Sequence, residues 1–304
     1  MVKINEQERV RTTYEGLVER VAGIFIKIVT NRFVPADPFR VIAEKIYDEA
    51  PHFLEFILET AGQQHGLAKN AVDTAILSAC IAKTMGFTDF TIRTVILGAL
   101  VHDVGMLCIP QDILEIKKTL AKAEQQYIFV HPIHGYKVIV QEFRYPKEVG
   151  AVALQHHEYW DGTGYPQGLS GTTITTAARI IALGDVFSAM TAPRSYRVAM
   201  TGHQAMQQLV SGTTTHFDPE ILKVFVSFVG MYPRGSLVRL NTGAIARVID
   251  QTEIRFKPRI RMITEASGEP YAEVVEINLA ENRDWFITGD ISGTDGIPIH
   301  RVLD

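Results

Sequence analysis

Apolar positions recur with helical period through most of the chain and with strand period near its end. Tyr14, Leu17, Val18, Val21, Phe25, Ile28 and Val29 fall on one helical face. Asp37-Pro38 reads as a helix start. Val41, Ile42, Ile46 and Tyr47 carry the period to Pro51, and 53–58 adds a further apolar stretch. Residues 1–60 are therefore expected to form a small helical region packed on the zone that follows. The next zone, 61–231, predicts helices over 71–85, 91–104, 121–143, 147–157, 175–190, 201–210 and 218–229. Gly86 is placed to cap the first of these, and Thr201 and Asp218 suit N-cap positions. After a joint at 230–235 the period changes. Short strand-like runs at 237–240, 244–249, 259–263, 273–277, 285–287 and 298–302 are mostly divided by turns containing Gly or Asn. The expected fold is α+β: a mainly helical bundle preceded by helices and followed, over 232–304, by a small antiparallel β-barrel or sandwich.

At 46% hydrophobic and 21% charged, the 304 residues support a sizeable core. A net charge of −4 argues against a basic surface for nucleic-acid polymers, but leaves room for a small phosphorylated ligand held by a few arginines. Cys80 and Cys108, the only cysteines, lie in apolar helical pattern and are expected to be buried thiols. Residues 1–11 are polar, with no signal-peptide pattern, and charge interrupts the apolar stretches short of a membrane span. Both features lead to an expected cytoplasmic location.

The chemistry concentrates in one stretch, His156-His157-Glu158 followed by Asp161-Gly162-Thr163-Gly164-Tyr165-Pro166. Imidazole and carboxylate together suit borderline divalent metals. Further candidates lie at the ends of, or within, other apolar segments: His102-Asp103 after 94–101, His131 in Val130-His131-Pro132, and Asp185 after 179–184. A buried charge is costly unless paired or bound to a metal. His52, His134, His203, His216 and His300 read instead as ordinary core or surface residues. Glu158 fits either a partner that orients a histidine or a helix-end charge. Asp161 fits a turn, and Gly162 and Gly164 fit positive backbone torsions.

Taken together, these residues make 65–230 resemble the HD-GYP family of metal-dependent phosphohydrolases associated with cyclic di-GMP hydrolysis. The resemblance implies an HD-type helical bundle and two divalent ions, often iron or manganese. Asp103 would bridge them. His102 and Asp185 would hold one, and His131, His156 and His157 the other. Arg194 and Arg197 would neutralise the phosphate, and Tyr165 would shape the pocket lip. His102 and Asp103 would then belong to the catalytic centre.

Two positions depart from the family pattern. Asn70 stands where the opening metal histidine is expected, and Met106 where a lysine reaches a substrate phosphate. His65 lies on a different helical face, and Gly66 replaces a glutamate used for a third metal. Losing one cationic contact in a dry site costs about 2–4 kcal/mol of transition-state stabilisation. The function classes that follow are an active cyclic di-GMP phosphodiesterase, a receptor that binds the dinucleotide and turns it over poorly, and an interaction protein with a structural metal. The last would use a protein partner or a homodimer through the N-terminal helices or the C-terminal β zone.

Overall fold

The apolar periods fold as helices in a computed structural model that describes residues 2–30, 34, 37–61, 66–114, 121–193, 198–211 and 215–291. The order is α1 (Val2–Val29), α2 (Arg40–Glu59), α3 (Leu67–Thr84), α4 (Asp89–Val101), a 3-10 turn (Val104–Cys108), α5 (Gln111–Leu114), α6 (Lys122–Phe129) and α7 (His131–Lys137). α7 runs on into a π-turn (Val138–Glu142). Then come α8 (Lys147–Gln155), α9 (Thr176–Thr191), α10 (Gly202–Ser211) and α11 (Pro219–Val229). The strands are β1 (Leu237–Leu240), β2 (Ile245–Asp250), β3 (Arg259–Thr264), β4 (Glu276–Asn278) and β5 (Ile287–Asp290).

α3 is the axis of the bundle. Every residue from Asn70 to Ala82 is buried, as expected of a helix surrounded on all sides. α1, α2, α4 and α9 pack around it. The N-terminal helices thus spend their apolar faces inside the chain: Val10, Leu17 and Val21 are buried, and the Tyr14 hydroxyl donates to Asp73 Oδ1 at 2.6 Å. α4 starts at Thr88, whose hydroxyl accepts from the Thr91 amide. Gly86 closes α3 at φ +73°, with the Phe87 amide bonded to the Ala82 carbonyl. By length and composition Asp89–Cys108 could cross a membrane, yet it is α4 with the 3-10 turn, more than half buried in the bundle.

Two prolines change the expected helices, each through a carbonyl. Pro51 does not end its helix but lies inside α2. Proline has no N–H for the Tyr47 carbonyl one turn back, and the Lys83 ammonium takes that carbonyl instead. Pro132 does the reverse: the single helix expected over 121–143 breaks into α6, α7 and the π-turn. The Ile128 carbonyl one turn back receives the His131 ring nitrogen at 2.7 Å.

The strands form one antiparallel sheet in the order β4-β3-β2-β1-β5, not two stacked layers, among the described residues. Val238, Leu240, Ala246, Val248, Ile260 and Met262 are buried on it and continue the core of the bundle. β4 and β5 begin a few residues later than the apolar runs at 273–277 and 285–287 suggest, and 298–302 lies outside the described residues. The joint is tied down by Arg234, which donates to Glu59 of α2 at 2.7 Å, and by Gln251, whose amide donates to the Tyr232 carbonyl at 2.9 Å. Cys80 is buried as expected. Cys108 is exposed, because the chain leaves the bundle at the 3-10 turn instead of continuing α4.

Candidate metal centre

Three histidines reach the site by one device. A helix leaves its last four carbonyls without backbone donors. His102 follows α4 and its Nδ1 meets the Ala99 carbonyl at 2.7 Å. His156 follows α8 and its Nδ1 meets the Ala153 carbonyl at 2.8 Å. His131 follows α6 and meets Ile128 in the same way. A carbonyl only accepts, so each Nδ1 carries the proton, and each Nε2 points inward.

Those inward nitrogens converge on Asp103. Its Oδ1 lies 3.1 Å from His131 Nε2 and 3.5 Å from His156 Nε2. Its Oδ2 lies 3.5 Å from His102 Nε2, which is also 3.5 Å from Asp185 Oδ1. The candidate ligand atoms form two sets sharing Asp103, one with His131, His156 and His157, the other with His102 and Asp185. Within each set all lie within 4.8 Å of one another. The structure therefore brings together all six predicted ligand residues.

The donors fit a divalent cation on their own evidence. His102 Nε2 is buried and has no hydrogen-bond partner among the described residues. His131 and His156 set their Nε2 atoms 3.3 Å apart with both Nδ1 atoms on backbone carbonyls, so with neutral rings two lone pairs face each other beside a carboxylate oxygen. A cation placed there relieves all three contacts. The electrostatics agree. Burial pushes the His156 and His157 imidazoles down, away from the charged form. At His102 burial is outweighed by Asp103 and Asp185, which push it up to about 9. Asp103 and Asp185 are held below the usual carboxylate range despite burial, by His102 above all. The site thus demands positive charge, met by a proton on His102 or by a metal that displaces it.

Close approach of the 3-10 turn to α7 builds the Asp103–His131 contact. A Cβ on Gly105 would overlap the His131 carbonyl oxygen, so only glycine lets the two segments meet.

The turn after α8 differs from its expectation in two respects. Gly162 has the expected positive φ of +83°. Gly164 does not. It is required because a Cβ there would overlap the His157 carbonyl and the Tyr159 amide. Glu158, buried, neither orients a histidine nor caps a helix. Its two oxygens accept from the Gln167 and Leu169 amides at 2.6 and 2.9 Å and hold the loop closed. Asp161 makes the expected turn, accepting from the Thr163 amide and hydroxyl. Glu158→Gln, which supplies one acceptor where two are needed, is expected to cost about 1–3 kcal/mol. Amide exchange at Gln167 and Leu169 would speed up while that at α3 stays unchanged; equal exchange at both would refute this role.

Tyr165 stacks on His157, with centroids 4.8 Å apart and planes at 23°, and Phe129 lies over Tyr165 at 4.6 Å. An aromatic ladder thus runs from the ligand set to the surface, where Phe129 and Tyr127 are exposed. Sequence reading missed Phe129, although it stands two residues before His131. It also missed Ser188, three residues after Asp185 on α9. Met106 lies half-buried in the 3-10 turn and brings no charge. Arg194, Arg197, His65 and His300 lie outside the described residues.

A family profile described as an HD domain matches residues 43–221, and one described as a KOW domain associated with HD domain matches 237–296. A cyclic di-GMP phosphodiesterase of Pseudomonas aeruginosa is 32% identical over 201 residues, 66% of this chain and 48% of that protein. The cyclic di-GMP phosphodiesterase response regulator RpfG of Xanthomonas campestris is 35% identical over 144 residues, 47% of this chain and 38% of that one. The chain spans about half or less of the length of these curated relatives. In fold it is similar to an HDG"Y"P protein from Bdellovibrio bacteriovorus, with a TM-score of 0.59 at 16% identity over 72% of this chain and 71% of that one.

Proposed function

This chain belongs to the HD-domain family, in its HD-GYP branch, and from that premise we propose that it is a metal-dependent phosphodiesterase acting on cyclic di-GMP or a closely related cyclic dinucleotide. The observation that carries the reading is the pair of ligand sets sharing Asp103, with bare imidazole nitrogens facing one another in a buried site. His131, His156, His157 and Asp103 would hold one divalent ion, and His102, Asp103 and Asp185 a second. The mixed imidazole and carboxylate donors suit iron or manganese. Metal bound there supplies Lewis acidity toward phosphate oxygens and a hydroxide near neutral pH.

The chain's own residues account for much of the rest. The backbone carbonyls of Ala99, Ile128 and Ala153 fix three imidazoles in the ligating tautomer. The ladder of His157, Tyr165 and Phe129 offers a flat face beside the ligands, suited to stacking a nucleobase. Arg194 and Arg197 are proposed to meet the phosphate. We divide the chain into helices over 1–60, the phosphohydrolase unit over 61–231 and the β unit over 232–304. A cytoplasmic location is in keeping with a cytosolic dinucleotide substrate.

The test is turnover of cyclic di-GMP by protein purified without oxygen and supplied with manganese or iron, alongside a binding titration. Metal-dependent release of linear dinucleotide or GMP is the expected result. Binding without product would overturn the enzymatic reading, and absence of both would overturn the substrate class as well.

A further inference from the structure

We infer that Asn70 is a positioning residue for Asp185, locked in that role by Ser188, and that it is not itself a metal ligand. The inference rests on the metal-centre reading above. All three side chains are buried, at 5%, 9% and 5% exposure for Asn70, Asp185 and Ser188. Asn70 sits in the first turn of α3 and faces α9. Its Nδ2 donates to Asp185 Oδ1 at 2.7 Å, and its Oδ1 accepts from the Ser188 hydroxyl at 3.0 Å.

The amide has only one sensible orientation. A carboxylate accepts and cannot donate, so turning the amide over would set its oxygen against Asp185 Oδ1 at hydrogen-bond distance. The Ser188 hydroxyl then supplies the donor that the amide oxygen needs. Asp185 Oδ1 is the oxygen that faces His102 Nε2 at 3.5 Å, so Asn70 holds the atom that would meet the ion. The amide oxygen points away, toward Ser188, and is not offered to that ion.

A geometry of this kind gives the two ion positions unequal strength. One keeps four ligand residues. The other keeps His102, Asp103 and Asp185 only, with Asp185 aimed by an amide. Such supporting partners typically contribute a factor of about 10–100 in metal affinity. The expected behaviour is one tightly held ion and one exchangeable ion, the second depending on Ser188 although Ser188 reaches no ligand except through Asn70.

Titration of the full chain with manganese(II) alone, counting free ion by electron paramagnetic resonance, tests this. Wild type is expected to show two affinities. Ser188→Ala and Asn70→Ala should each weaken the looser one by about 10–100-fold and leave the tighter one in place. Loss of affinity in Asn70→Ala but not in Ser188→Ala would overturn the inference, because a ligating amide needs no serine. Unchanged binding in both would overturn it too. Should Asn70→Ala fail to fold by circular dichroism, Ser188→Ala decides alone. A wild type that takes one ion or none refutes the two-ion reading underneath, and the inference with it.

Discussion

Asp103→Ala is expected to leave the protein with neither ion bound and, on the proposed activity, to lower cyclic dinucleotide turnover by a factor on the order of 10³ or more, since removing metal chemistry forfeits several kcal/mol of barrier lowering. Among the described residues, Asp103 is the one side chain common to both candidate ligand sets. One oxygen serves His131 and His156, and the other faces His102. Without it, one side retains three imidazoles with no compensating anion, and the other retains His102 and Asp185. Asp103→Asn should fail almost as completely, because the shape survives but the charge does not. Metal content of the purified variants by mass spectrometry and initial rates on cyclic di-GMP are the two measurements. A variant that keeps its full metal complement would disprove the bridging role, whatever its rate.

Gly105→Ala is the second large effect, and it reaches the site through the backbone. The added methyl overlaps the carbonyl oxygen of His131 and crowds the Gly135 amide, neither of which is the end of a flexible side chain. The 3-10 turn and α7 must separate. We expect a loss of about 1–3 kcal/mol in stability, seen as a melting point several degrees lower. Because His131 moves with its carbonyl, the 3.1 Å contact to Asp103 opens as well. Protein that still folds should therefore be metal-poor at the four-ligand set. An alanine variant with the wild-type melting point and full metal content would show that the turn yields without cost.

The candidate ligands were legible because imidazoles and carboxylates at the ends of apolar helices have few other reasons to be there. His102, Asp103, His131, His156, His157 and Asp185 all meet in one place. What the pattern could not reveal depends on partners distant in sequence. Periodicity carries a helix through Pro132 and stops it at Pro51, while the fold does the opposite at both. At both, a side chain meets the carbonyl that proline leaves without its helical donor, Lys83 of α3 at Tyr47 and the His131 ring at Ile128. Glu158 was ambiguous for the same reason, since its two amide partners lie nine and eleven residues downstream. Gly164 looked like a torsional requirement and is a steric one. Cys108 follows the apolar pattern of α4, but that pattern outlasts the helix by several residues.

The three histidine-capped helix ends also shape the field that a substrate meets. The C-terminal end of a helix carries a partial negative charge of about half an electron. α4, α6 and α8 all end within a few residues of the ligand cluster, beside the ionised Asp103 and Asp185. A phosphodiester approaching that surface by itself is repelled. Cations are drawn to the same spot, and once there they reverse the sign of the potential. On the proposed function, loading the ions would therefore turn a face that repels anions into one that attracts them, so recognition of a phosphodiester and its cleavage would share one electrostatic precondition.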